Sequence, residues 1–142
     1  MTVMRILNEK GGTVETAGSD ARLSEIAGTL ADRKIGAIVI VDGGKMSGII
    51  SERDIVRAVA HDGVVALERS ATDYMTRDVV TCGQQETIHD VMQKMTAGRF
   101  RHLPVVENGN LVGIISIGDV VKRRIAEVEQ EARDMREYIA TA

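Results

Sequence analysis

Gly48-Ile49-Ile50-Ser51 and Gly113-Ile114-Ile115-Ser116 are the same tetrapeptide, and the offset of 65 positions between them carries without a gap along most of the chain. The same slide superposes Val41 on Val106, Gly44 on Gly109, Asp54 on Asp119 and Val56 on Val121. Further upstream it superposes Val14 on Val79, Thr16 on Thr81 and Gly18 on Gly83. A chain built from two like units folds into two like units. Units of about 60 residues are only marginally stable alone, so the copies are expected to pack sheet against sheet as one cooperative module with a pseudo-two-fold axis.

Each copy reads the same way. A short strand, Thr13 to Thr16 or Asp78 to Thr81, leads into a Gly-polar turn. Leu23, Ile26, Ala27 and Leu30, then Ile88, Val91, Met92 and Met95, recur at helical spacing and mark one buried face per helix, with Thr87 or Gln84 as cap of the second. Two β-branched runs follow, Ala37 to Val41 and Met46 to Ser51, joined by Asp42-Gly43-Gly44; their counterparts, Leu103 to Val106 and Leu111 to Ser116, are joined by Glu107-Asn108-Gly109-Asn110. These are hairpins with Gly-rich turns. A second helix begins at Glu52 and at Ile117. The unit is β-α-β-β-α, an α/β fold written twice. Expected boundaries are 1–61 for the first copy, 62–72 for a connector, 73–124 for the second copy and 125–142 for a C-terminal helical extension.

The core must be aliphatic, because aromatic residues are 2% of the chain, only Phe100, Tyr74 and Tyr138. That scarcity, with a net charge of −3, argues against general nucleic-acid binding, which needs a basic excess. No run approaches the ~20 apolar residues of a membrane span, Cys82 is a lone cysteine, and Met1 to Lys10 lacks a long apolar stretch. A cytoplasmic chain without membrane contact is expected. His61, His89 and His102 have no companion at metal-ligand spacing, and Cys82 has no base beside it, so neither a metal site nor a nucleophile is expected.

The residues most able to carry chemistry stand where each hairpin enters its second helix: Ser51-Glu52-Arg53-Asp54 and Ser116-Ile117-Gly118-Asp119. Two readings fit the Ser-x-x-Asp spacing. In one, Ser is the N-cap and the acid completes a capping box. In the other, the helix N-terminus offers amides and a hydroxyl to a phosphate, and the carboxylate accepts two ribose hydroxyls.

At this point the chain resembles the CBS domain pair. The resemblance rests on Ile35 to Asp42, Gly48 to Asp54, Met75 to Thr81, Arg99 to Val106 and Gly113 to Asp119, in that order. It implies a Bateman module: two units packed through their sheets, with two clefts that bind AMP first of all, or ADP, ATP, NAD(H) or S-adenosylmethionine, and no catalysis. It implies ribose contacts from Asp54 and Asp119, and ribose or phosphate contacts from Ser51 and Ser116. Thr16, Val79 and Thr81 would line the clefts, and the backbone from Ala37 to Ile38 and from His102 to Pro104, through Leu103, would read the adenine.

The copies are not equal. The second has Arg99, Arg101, His102 and Pro104 where the first has Lys34, Gly36, Ala37 and Val39, so the second cleft, that of Asp119, is expected to be the more basic, its arginines either a solvated face or a phosphate clamp. Arg53 either reaches across the pseudo-axis to a phosphate or pairs at the surface. Beyond the repeat, Val121, Ile125, Val128, Ala132, Met135 and Ile139 step by 4, 3, 4, 3 and 4, a seam of about two and a half heptads that either lies on its own domain or, as the heptad spacing favours, meets a partner helix and hence makes a homodimer. Arg123 with Glu127, Glu129 with Arg133, and Arg133 with Glu137 are spaced for i,i+4 pairing. The leading expectation is an adenosyl-nucleotide sensor read by a regulated protein; the alternative is a ligand-independent dimerisation module.

Overall fold

The computed structural model, which describes residues 1–141, realises the β-α-β-β-α unit in both copies. The first copy comprises β1 (Thr16–Ala17), α2 (Leu23–Arg33), β2 (Ala37–Asp42), β3 (Lys45–Ser51) and α3 (Glu52–Asp62), preceded by α1 (Val3–Lys10). Two 3₁₀ turns, Val64–Glu68 and Ala71–Asp73, lead to α4 (Ile88–Gly98), β4 (His102–Glu107), β5 (Asn110–Ser116) and the long α5 (Ile117–Thr141). No helix among the described residues is long and apolar enough to cross a membrane.

The hairpins are near copies in geometry as well as sequence. The turns place Gly43 and Gly44 at φ 56° and 79°, and Asn108 and Gly109 at φ 51° and 79°, the two left-handed residues that a twisted two-residue hairpin turn requires. Both hairpins carry a register shift at the equivalent place, between Ile40 and Val41 and between Val105 and Val106.

The leading strands differ from expectation. In the first copy the strand sits at Thr16–Ala17, parallel to β2, with the Val39 amide donating to the Glu15 carbonyl at 3.3 Å. In the second copy Asp78 to Thr81 forms no strand, and the pairing shrinks to one bridge between Cys82 and Val105. The cause is Pro104, which stands where Val39 does and has no amide hydrogen to give. The Val80 carbonyl thereby lacks the bond that its counterpart, the Glu15 carbonyl, has in the first copy, while Asp78 to Val80, like Thr13 to Glu15, lie outside any strand.

Two cores form rather than one. Leu23, Ile26, Leu30, Ile38, Ile40 and Ile50 build the first; Ile88, Val91, Met95, Leu103, Val105 and Ile115 build the second. The copies are tied by exchange of their leading segments. Val3, Ile6 and Leu7 of α1 complete the second core, while Ala66, Ala71 and Met75, from the stretch before the second copy, complete the first.

The exchange is matched bond for bond. Val3 and Met4 donate to the Glu86 and Gln84 carbonyls at 2.9 Å each, as Ala71 and Thr72 donate to Ala21 and Ser19 at 2.8 and 3.0 Å. Met1 accepts from Ile88 as Arg69 accepts from Leu23. The receiving residues obey the 65-residue offset, but the docking residues are related by 68. Residues 62–72 are thus a docked element as well as a connector, and Met1 to Lys10, which carried no helix expectation, is one too.

Along α5 none of the three expected i,i+4 ion pairs forms. Arg123 turns to Glu9 of α1 at 3.4 Å, Arg124 pairs with Glu127 at 3.3 Å, and Arg133 bonds Gln130.

Candidate functional site

Both Ser-x-x-Asp segments cap their helices. Asp54 Oδ2 accepts from the Ser51 amide at 2.8 Å and from Ser51 Oγ at 3.1 Å, while the Asp54 amide donates to Ser51 Oγ at 3.3 Å. The Ser116–Asp119 pair repeats this at 2.9 and 3.2 Å. All the contacts to Asp54 fall on Oδ2, so Oδ1 lies outside the cap. The first amide of each helix is also taken, Glu52 by the Gly36 carbonyl at 2.9 Å and Ile117 by the Arg101 carbonyl at 2.8 Å. The α3 N-terminus therefore keeps one first-turn amide, that of Arg53, and is a weaker phosphate cradle than the spacing implied.

The two aspartates face different surroundings. Asp54 opens on a cleft of about 360 Å³. Its copy contributes Gly36, Ile49, Ser51, Glu52, Arg53 and Arg57. The other wall comes from the second copy: Thr76, Asp78, Val79 and Val80 from the stretch before Thr81, then Arg99, Phe100, Arg101 and His102 after α4. The expected grouping of Arg99, Arg101 and His102 with Asp119 is therefore corrected. The basic residues of the second copy cross the pseudo-axis and border the cleft of Asp54.

Local geometry explains how they arrive there. α4 ends on Arg99 in the left-handed conformation at φ 56°, as α2 ends on Lys34 at φ 54°, which turns the chain sharply into the cleft wall. Arg53 does reach across the axis, where its Nη1 donates to the Arg99 carbonyl at 3.5 Å. The Cε1–Nε2 edge of the His102 ring lies against Gly36, where a Cβ would stand 2.9 Å from both atoms. Burial holds the His102 imidazole below its ordinary pKa, against the opposing pull of the Glu52 carboxylate, so the ring is neutral at pH 7. Phe100 covers Gly98, whose missing side chain leaves room for the ring. With four arginines against three carboxylates, the cleft has an apolar patch of Ile49, Val79, Val80 and Phe100 and an excess of one positive charge.

Asp119 is closed off. Lys10, at the end of α1, donates to its Oδ2 at 2.7 Å and to the Ile114 carbonyl at 3.0 Å. Burial alone would push the Asp119 carboxyl up; hydrogen bonds from Lys10 and the Ser116 amide outweigh it and hold the group below the usual aspartate value. The hollow beside it, about 150 Å³, is bordered by Ile6, Glu9, Lys122, Arg123 and Ala126.

Of the other expected site residues, Val79 borders the Asp54 cleft. Ala37, Ile38, Leu103 and Pro104 are buried within β2 and β4 and stand outside that lining, as do Thr16, on the exposed side of β1, and Thr81, whose carbonyl accepts from Lys94 at 2.9 Å. Ser116 and Asp119 lie away from it. Sequence reasoning missed Arg57, Asp78, Phe100 and Lys10. Arg57 had a signal, since it follows Asp54 by three positions on one helix and so shares its face. Cys82 is buried, and burial first, then the Glu86 carboxylate, pushes its thiol up to about 11, where it stays protonated and unreactive.

A family model described as the CBS domain matches residues 13–61 and 71–126. A crystal structure of a CBS-domain containing protein from Agrobacterium tumefaciens is 51% identical, with a TM-score of 0.85 over 87% of this chain and 92% of that one. A CBS domain protein from Pyrobaculum aerophilum complexed with AMP is 28% identical, with a TM-score of 0.74 over 84% and 89%. A CBS domain pair in complex with 5′-methylthioadenosine and S-adenosyl-L-methionine is 29% identical, with a TM-score of 0.80 over 89% and 98%. Among curated CBS domain-containing proteins of Arabidopsis thaliana, this chain matches three at 28%, 31% and 30% identity over 97%, 80% and 92% of its own length, but it spans 71%, 21% and 24% of theirs. On the matched family model and the shared fold, the chain belongs to the CBS domain family, as a tandem pair.

Proposed function

We propose that the chain is a non-catalytic regulatory module that binds an adenosyl nucleotide, AMP first and ADP, ATP or NAD(H) as alternatives, in the cleft between its two CBS domains. The observation that carries this is the Asp54 cleft itself. One Asp54 carboxylate oxygen stands free of the helix cap, and Arg53 and Arg57 line the same cleft as Arg99, Arg101 and His102 of the other copy. A ribose diol is matched by that carboxylate, a phosphate by the arginines, and a purine by the apolar patch around Val79 and Phe100. The AMP and S-adenosylmethionine complexes of the related CBS proteins support the ligand class. Ligand in this cleft touches both copies, so it favours one arrangement of them, and a regulated protein reads that arrangement. Ser116 and Asp119 would frame a second, weaker site once Lys10 is displaced.

The test is a calorimetric and thermal-shift series with AMP, ADP, ATP, NAD(H) and S-adenosylmethionine. Ligand at about 100 times Kd is expected to add ~2.7 kcal/mol of stability. Asp54→Ala is expected to weaken binding about 10-fold or more, through loss of charge-assisted bonds, and Asp119→Ala to leave the first site unchanged. Absence of a shift with every adenosyl ligand overturns the reading.

A second reading, a ligand-independent dimerisation module, is favoured by the exposed apolar face of α5. In either reading the chain acts as a homodimer.

A further inference from the structure

We infer that α5 pairs with α5 of a second copy as a parallel, in-register two-stranded coiled coil. The inference rests on the homodimer reading and adds the interface and its direction.

The helix has an apolar stripe with nothing on it. Val121, Ile125, Val128, Met135 and Ile139 are 47 to 67% exposed. From Glu129 to Thr141 every residue is exposed, so this stretch projects beyond its own domain without a packing partner. A helix of that length without tertiary support is marginal in water. The 4-3 steps put Ile125, Ala132 and Ile139 at the a positions of a heptad and Val121, Val128 and Met135 at the d positions. The domain packs on another side of the helix, through Val120 and through Arg123 on Glu9.

The flanking charges choose the direction. Arg124 and Glu131 hold the g positions that can pair, and Glu129 and Arg136 the matching e positions. In a parallel coil, g of one helix meets the following e of the other: Arg124 meets the partner's Glu129, and Glu131 meets the partner's Arg136. Both contacts are attractive and symmetry doubles them. In an antiparallel coil with the seam fully overlapped, Glu129 meets the partner's Glu129, Glu131 the partner's Glu131, and Lys122 the partner's Arg136. Every one of those is repulsive. The helix's own polar bonds, Gln130 to Asp134 and Arg133 to Gln130, lie at outer positions, and Glu129, Glu131 and Arg136 form no ion pair among the described residues.

The test uses the full chain with Val128→Cys, since a d position meets itself only in a parallel, in-register coil and its Cα separation suits a disulfide. Cys82 is buried and does not compete. Mild oxidation at micromolar concentration is expected to give a covalent dimer with Val128→Cys and none with Gln130→Cys. Met135→Asp is expected to abolish the dimer in sedimentation while leaving thermal unfolding of the CBS domains in place, because Met135 is 60% exposed. A wild-type dimer that Val128→Cys fails to cross-link overturns the parallel coil and leaves the homodimer standing. A wild-type monomer overturns both.

Discussion

At the residue scale, Asp54 and Asp119 show how one motif acquires two roles. Each aspartate spends Oδ2 on its helix cap, so the capping and ligand readings of Ser-x-x-Asp are compatible: the cap holds the carboxylate in place and leaves Oδ1 outside it. What separates the two is the neighbour. Lys10 neutralises Asp119 and occupies its mouth, and the depressed Asp119 carboxyl has a stability consequence with a definite sign. A carboxyl held below its unfolded value of about 3.9 stabilises the fold fully above that pH and loses the contribution as pH falls through the lowered value. Lys10→Met is therefore expected to lower stability at pH 7 by ~1 kcal/mol, a modest figure because the pair is partly exposed, and to flatten the acid limb of the stability profile below about pH 4. Denaturation by urea at pH 7 and at pH 3 checks it: an equal loss at both removes the ion pair as the cause.

At the scale of elements, two glycines related by the repeat receive the exchanged segments. A Cβ at Gly48 would stand 2.6 Å from the Thr76 carbonyl oxygen, and one at Gly113 would stand 2.6 Å from Leu7 Cδ2. A backbone oxygen held by the Ile49–Thr76 bridge cannot step aside, whereas a leucine terminus can rotate. Gly48→Ala is accordingly expected to cost ~2 kcal/mol or more, in the range of an overpacked core, and Gly113→Ala distinctly less. Leu7→Ala, with its buried side chain, is expected to cost ~2 to 5 kcal/mol, and the double variant Leu7→Ala with Gly113→Ala less than the two losses combined, since the first change makes room for the second. Thermal unfolding of the four variants decides the ranking. Pro104 acts at the same scale: by withholding one amide it reduces the parallel pairing of the second copy to the single Cys82–Val105 bridge.

At the scale of the whole molecule, the exchange makes two small cores depend on each other. Val3, Ile6 and Leu7 are at most 6% exposed within the second core, so deletion of residues 1–10 removes burial of the order of 5 kcal/mol, comparable to the stability of a domain this size. The truncated chain is expected to lose cooperative folding of its second copy, seen as collapse of amide protection in β4 and β5 by hydrogen exchange; retained protection there would show that α1 is dispensable. The sequence by itself determined the repeat, the hairpins with their Gly-rich turns, the helix caps and the 4-3 apolar seam of α5, because periodicity, turn chemistry and capping act over a few residues. It determined the aspartates as candidate ligands for the same reason. That the seam lies unburied was decided by the fold. Tertiary structure alone decided which basic residues share a cleft with which aspartate, since Arg53 and the Arg99 carbonyl meet across 46 positions and Lys10 and Asp119 across 109. It also decided that α1 is the counterpart of the connector. Their registers differ by three residues from the repeat, and the need to fill a core from outside, rather than any local pattern, places them.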